Sequence, residues 1–365
     1  MKIKNYKYTG AWKRLNNIQK HEVVDLVSMT DEELAELSKR KVEDIEKNKL
    51  YYKFSSFKYN KKNKERVLSG IEHLDYLTSG FEMGCITIWT GQTNAGKTTV
   101  MTMIIKQTIM QGEKVFFFNG EQTKDDFKNN LYKQTVDGNH IYSKQYKNSC
   151  VFDTFVADSQ LERLERLYGE NLFIYNNEQK RNINFLLQAM DEVRQEYGVK
   201  VFMLDNFMQI DTTSSDEYRE QKDIMEKLRT FAVNKNVHIH LVAHPRKMDR
   251  DSTRITIYDV LGSSNLVNKA YNVISIVRVD NLDKNGNEYK RLSEEMMKER
   301  MDINQSGTIL EVLKTKGLRC GVVGLKYIAK QKTFEEQQRL GDVMYERLKE
   351  KMNKPKKEDD DDAPF

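Results

Sequence analysis

Eight residues of the chain, Gly91-Gln-Thr-Asn-Ala-Gly96-Lys97-Thr98, have the types and spacing of a phosphate-binding loop. The two glycines let the backbone turn several N–H groups toward one point, and such a concavity holds anions. Lys97 supplies a charge for the β- and γ-phosphates of a nucleotide, and the Thr98 hydroxyl supplies an oxygen for Mg²⁺. Asn94, Ala95 and Thr99 complete the cradle. A glycine turn before a core helix would also give this pattern. The flanks decide for phosphate: Cys85–Thr90 reads as a strand and Thr99–Ile105 as a helix, so the loop lies at a helix N-terminus, where unpaired N–H groups face an anion.

Binding phosphate does not hydrolyse it. A carboxylate must polarise water, and a second group must anchor the metal. Val115–Phe118 is an apolar run that ends in Asn119-Gly120-Glu121. In a parallel sheet the carboxyl ends of the strands line the ligand crevice, so Glu121 is the candidate water-polarising carboxylate; an acid at a helix start is its plainer reading. Val199–Leu204 ends in Asp205-Asn206, which makes Asp205 the second Mg²⁺ anchor, usually through water. His238–Ala243 ends in His244-Pro245-Arg246-Lys247. His244 is placed to report a terminal phosphate by hydrogen bonding to it, and Arg246, Lys247 and Arg250 suit a phosphate-contacting loop.

These residues need a frame to position them. Alternation of apolar β-prone runs with helical stretches from Gly70 onward predicts an α/β fold with a mostly parallel sheet covered on both faces. Candidate strands are Ile86–Thr90, Val115–Phe118, Leu172–Tyr175, Val201–Leu204, His238–Val242, Val273–Val277, Leu310–Leu313 and Gly321–Tyr327. Candidate helices are Thr98–Met110, Lys124–Thr135, Asn184–Tyr197 and Asp216–Asn234, with Gly112 and Gly198 at C-cap positions. Residues 281–306 are charged and read as a surface excursion. One last charged helix follows Phe334.

Residues 1–66 read as a basic, partly helical appendage. The first twenty carry six basic residues and no acid, with Tyr6, Tyr8 and Trp12 between them. Thr30-Asp-Glu-Glu33 is a capping box. The stretch from Tyr51 to Lys64 is again basic and aromatic, a composition that either binds single strands by stacking and charge or packs on a neighbouring subunit. The 365 residues carry a net charge of +5, but Glu358–Asp362 is a run of acids, and the remainder is more basic still. A basic body suits a polyanion. Three cysteines, Cys85, Cys150 and Cys320, lie far apart, so neither zinc nor a disulfide framework is expected, which fits a cytoplasmic protein. No stretch reaches the ~18 apolar residues of a membrane span, and the N-terminus lacks the apolar core of a signal peptide.

The lead-in Leu68-Ser-Gly70-Ile71, Leu74-Asp75, Leu77, Gly80 and Gly84 resembles that of RecA-type ring ATPases. Leu204-Asp205-Asn206-Phe207 together with Ala243-His244-Pro245-Arg246-Lys247 is more specific. It resembles the helicase half of Twinkle and the phage primase–helicases, within the DnaB-like replicative helicases. Asp259-Val-Leu-Gly262-Ser263-Ser264, Asn272-Val273-Ile274 and Arg278 look like the same family, over residues 66–334.

The resemblance implies a RecA-like core in a ring, a homo-hexamer, moving on single-stranded DNA with hydrolysis of ATP or another nucleotide and Mg²⁺. It assigns nucleotide and metal to Lys97 and Thr98, water to Glu121, metal support to Asp205, and the γ-phosphate to His244. The loop containing Arg246, Lys247 and Arg250 would face DNA. The family completes each site with basic residues of the adjacent subunit on a Lys-x-Arg. Here the stretch reads Lys314-Thr-Lys316-Gly-Leu-Arg319, so either Lys316 replaces the arginine or Arg319 serves in its place. Tyr271 stands where the family has an acid. A primase half is not expected in 66 residues without zinc cysteines. Two other readings stay open: a RecA/RadA-like recombination or repair ATPase, and a nucleotide-clamped scaffold for replication proteins. The C-terminus, with Asp361, Asp362, Pro364 and Phe365, resembles the tip of bacterial single-stranded-DNA-binding proteins. That resemblance implies docking to a primase, polymerase or repair enzyme; a solvated acidic tail is the plainer reading.

Overall fold

Four runs, Ile86–Gly91, Val115–Asn119, Val201–Asp205 and His238–Val242, are buried at every residue. Strands covered by helices on both faces have that pattern, and these four form the middle of the sheet in the computed structural model. The structure describes residues 54, 64–147, 150, 152–212, 217–245, 255–260 and 264–341. The expected appendage helix, the loop residues Arg246, Lys247 and Arg250, the last charged helix, and the tail residues Asp361, Asp362, Pro364 and Phe365 lie outside them.

In chain order the strands are β1 (Arg66–Val67), β2 (Phe81–Glu82), β3 (Ile86–Gly91), β4 (Val115–Asn119), β5 (Ile141–Gln145), β6 (Phe152–Val156), β7 (Leu172–Ile174), β8 (Val201–Asp205), β9 (His238–Val242), β10 (Asn272–Arg278), β11 (Thr308–Lys314), β12 (Gly321–Ile328) and β13 (Thr333–Glu336). The helices are α1 (Glu72–Thr78), α2 (Lys97–Met110), α3 (Lys124–Thr135), α4 (Leu161–Tyr168), α5 (Ile183–Tyr197), α6 (Glu217–Lys235), α7 (Ser264–Lys269) and α8 (Asn287–Lys298). The main sheet has the order β13-β12-β11-β10-β3-β9-β8-β4-β7. From β10 to β7 all neighbours are parallel. From β10 to β13 they are antiparallel. Short links join β11 to β12 and β12 to β13, and a parallel crossover needs a dozen residues or more. None of the described helices is long and apolar enough to cross a membrane.

Side chains alternate between two cores, as the period of two along a strand requires. Trp89, Phe117 and Met203 join Val100, Met101 and Ile104 of α2 on one face. Ile88, Phe116, Phe118 and Phe202 join Leu186 and Met190 of α5 and Leu228 of α6 on the other. Helix ends follow local chemistry. The Thr123 side chain accepts from Asp126 N at 3.1 Å to start α3. Asn182 caps α5 by accepting from Asn184 N and Phe185 N, and Gly198 ends it at φ 76°.

Residues 281–306 differ from the expected surface excursion. They contain α8, whose Leu292 and Met296, one helical turn apart, are fully buried in the first core. Six of its twelve residues are charged, so its average polarity conceals the buried stripe. The β5–β6 hairpin and β13 also lie outside the expected elements.

Candidate active site

The loop after β3 needs its glycines for space as well as for conformation. A Cβ on Gly91 would lie 2.6 Å from the Ile276 carbonyl oxygen, and one on Gly96, at φ +98°, would lie 2.8 Å from the Phe334 ring. Gly96 precedes α2, and no side chain caps that helix. Its first-turn N–H groups have no intrahelical acceptor, and they border a cleft of about 320 Å³ lined by Asn94, Ala95, Gly96 and Thr99.

Lys97 is buried, and its ammonium donates to Gly91 O and Gln92 O, each at 2.9 Å. Burial lowers its pKa, while the nearby Asp205 and Glu121 work against that shift. A desolvated cation held by carbonyls of its own loop is well matched to an incoming phosphate. Thr98 Oγ1 donates to Asp205 Oδ2 at 2.9 Å. Asp205 is pushed up to about 6, first by burial and further by Glu121; the Thr98 hydrogen bond and Lys97 oppose the rise. Two oxygens of this kind fit a hard divalent cation. Among the described residues no cluster of His, Cys, Asp and Glu could hold a metal alone. A cation at Thr98 and Asp205 would therefore take its other ligands from phosphate and water.

Glu121 lies just beyond β4. Asn119 Oδ1 accepts from the N–H groups of Glu121 and Gln122, and Gly120 N donates to Asp205 O at 2.8 Å. These bonds tie the end of β4 to the end of β8. Asn206 Nδ2 donates to Glu121 Oε1 and lies 3.0 Å from His244 Nε2. His244 Nε2 is 3.4 Å from Glu121 Oε1. The structure thus brings Lys97, Thr98, Glu121, Asp205 and His244 together at the carboxyl ends of β3, β4, β8 and β9, the crevice position of open α/β sheets.

Lys316 and Arg319 are not part of this group. Ile276 of β10 is level with Gly91, and β10 runs antiparallel to β11, so Thr308 lies toward the loop and Lys314 toward the opposite edge. The turn after Lys314 is held at that far edge. Thr315 Oγ1 donates to Asn272 Oδ1 at 2.7 Å, Lys316 N to Tyr271 O at 3.2 Å, and the N–H groups of Leu318 and Arg319 to Leu77 O. Arg319 forms a two-pronged pair with Glu299, at 2.5 and 2.8 Å. The Lys316 side chain is exposed.

Two features escaped the reading of the sequence. The far wall of the cleft is made by Arg278, Tyr327 and Phe334, and the two rings lie 5.3 Å apart. Arg278 had a signal, being the last residue of the strand beside Gly91; the aromatic pair had none, because β12 and β13 return to the loop from far along the chain. The second is the Asn206 amide between Glu121 and His244, whose signal was its place in the Leu204-Asp205-Asn206-Phe207 motif.

The family model of the DnaB-like helicase C-terminal domain matches residues 67–336. Among solved structures, the ATPase domain of a separately studied protein superposes with a TM-score of 0.58 at 18% identity, over 85% of this chain and 99% of that one. A DnaB-like replicative helicase studied for its interactions with primase gives 0.59 at 17% identity, over 85% of this chain and 67% of that one.

Proposed function

The chain belongs to the family of DnaB-like helicase C-terminal domains and is a nucleotide-hydrolysing helicase, and from that premise we propose that it works at replication forks as a ring, a homo-hexamer, that moves on single-stranded DNA and separates duplex ahead of it. One observation carries this reading. The groups that can bind and activate a nucleotide lie at the carboxyl edge of the sheet, while the basic turn with Lys316 lies at the opposite edge. A chain built this way cannot complete its own site with that turn, but it can complete a neighbour's.

In this reading the first-turn N–H groups of α2 and the Lys97 ammonium bind the phosphates. Thr98 and Asp205 hold Mg²⁺, which supplies charge neutralisation on the phosphate oxygens. Glu121 orients and polarises water. His244 contacts the terminal phosphate, and Arg278, Tyr327 and Phe334 border the base. Lys316 of a neighbouring copy, or Arg319 in its place, supplies the trans cation. Arg's planar fork would stabilise a transferring phosphoryl group better than Lys does, so a Lys at this position predicts modest turnover. Arg246, Lys247 and Arg250 contact DNA phosphates. Residues 67–335 form the catalytic core and 1–66 the appendage. The acidic tip with Asp361, Asp362, Pro364 and Phe365 docks a replication partner, its aromatic ring in an apolar pocket and its acids on a basic rim. A phage origin and action in the host cytoplasm agree with the motif resemblance.

Strand displacement on a forked duplex tests the proposal. Unwinding that needs both hydrolysable nucleotide and a single-stranded arm supports it. Nucleotide hydrolysis with no displacement, together with filaments on DNA in electron micrographs, would move the chain to the recombination class.

A further inference from the structure

Asn206 is buried, 1% exposed, between the two residues that must act on the terminal phosphate. Its Oδ1 accepts from Met208 N at 2.8 Å, which sets the orientation of the amide and turns both amide hydrogens toward the site. One is donated to Glu121 Oε1. The other points at His244 Nε2 at 3.0 Å. The amide at 3.0 Å is closer to Nε2 than Glu121 Oε1 at 3.4 Å, so Nε2 is assigned as the acceptor and the His244 ring proton to Nδ1.

Both partners are occupied by these bonds. The Glu121 oxygen that accepts the Asn206 amide hydrogen is not free to accept from and orient a water. An imidazole whose Nε2 accepts from Asn206 has no hydrogen there for a phosphate oxygen. We propose that Asn206 is a positioning residue that pairs Glu121 with His244 and releases Glu121 when His244 turns to a terminal phosphate. The inference rests on the reading of Glu121 as the water-polarising carboxylate. The Asn206 side chain bonds to Glu121, His244 and Met208 rather than to the Gly91–Thr98 loop, so its effect belongs to turnover and not to nucleotide affinity.

The test measures steady-state ATP hydrolysis by the full chain without DNA. Asn206→Ser keeps an oxygen able to cap Met208 N and removes the amide donors. Turnover is expected to rise several-fold with KM for ATP unchanged. In the Asn206→Ser background, His244→Ala should change turnover less than it does in the parent, because the two act through one contact. Turnover that is unchanged or lower in Asn206→Ser, or an additive cycle with His244→Ala, overturns the inference. Asn206→Thr, which also keeps a hydroxyl oxygen able to accept from Met208 N and has no amide, answers the same question if the serine variant does not fold. A Glu121→Gln variant separates the two levels. If it hydrolyses normally, the assignment of Glu121 is wrong and this inference falls with it; if it is inactive while Asn206→Ser behaves like the parent, only the coupling fails.

Discussion

Thr98 donates its hydroxyl hydrogen to Asp205 Oδ2 at 2.9 Å, joining the first turn of α2 to the end of β8 across 107 residues of sequence. The two oxygens that a Mg²⁺ ion would share are already in contact, and the carboxylate is almost fully desolvated.

This contact sets opposite effects of Asp205→Asn on stability and turnover. The folded-state pKa of Asp205, about 6, lies above its ordinary value of 3.8. The folded form therefore holds its proton longer than the unfolded chain does. The parent loses stability as pH rises from about 4 to 6 and bears the full cost above 6. The asparagine variant escapes that cost, so without Mg²⁺ at a pH of about 7.5 it should melt higher than the parent. Its turnover should fall about 10- to 100-fold, the scale for losing a group that supports a metal. Melting curves without Mg²⁺ check the first point; a variant that melts lower than the parent under those conditions would contradict it.

A second pH effect comes from the far edge of the sheet. His238 is fully buried; its Nδ1 donates to Glu82 O at 2.7 Å, and its Nε2 accepts from Thr87 Oγ1 at 3.1 Å. A second ring proton would have to go on Nε2, which already accepts from Thr87, and burial lowers the pKa from 6.5 to about 4. The unfolded chain takes up its proton first, so stability falls as pH drops from 6.5 toward 4, by on the order of 2–4 kcal/mol. Urea midpoints between about pH 7 and about pH 4.5 should therefore decline less steeply in His238→Gln than in the parent. Parallel declines would show that His238 does not carry the effect.

Much of this site could be read from the chain. Each central strand is an apolar run, and in β4, β8 and β9 the proposed site residue ends or follows the run within a few residues, so Glu121, Asp205 and His244 were legible by position. Gly91 and Gly96 were legible from the phosphate-loop pattern, whereas the press of Ile276 and Phe334 on them was not. Other parts depend on distances that a sequence does not display. Tyr327 and Phe334 reach the cleft because β11 to β13 fold back antiparallel. The helix α8 was hidden by its charges, since three buried residues, Leu292, Met296 and Met297, are enough to dock it. The sequence left Lys316 and Arg319 as alternatives and did not display that Glu299, 20 residues before Arg319, pairs with its guanidinium.

That pairing gives the two cations different expected phenotypes. Glu299 is buried, and Arg319 and His73 are its partners, the histidine at 3.0 Å. Burial disfavours the Glu299 charge, but Arg319 holds its carboxyl below the ordinary range. Arg319→Ala leaves the carboxylate short of donors and should destabilise the fold by about 1–3 kcal/mol. Lys316→Ala should leave the melting temperature near that of the parent while turnover falls. Equal melting temperatures for the two variants would remove the structural role from Arg319.

In the proposed ring the site is shared between copies, with its loop at one edge of the sheet and its trans cation at the other. Mixing Lys97→Ala subunits with Lys316→Ala subunits measures this directly. Each variant alone should be nearly inactive, because one lacks the loop cation and the other lacks the donor to its neighbour. Mixed rings contain interfaces where an intact loop meets an intact Lys316, so hydrolysis should return and peak at equal amounts of the two. No activity at any ratio, with mixed assembly verified, would contradict a site completed by Lys316 of the neighbouring subunit.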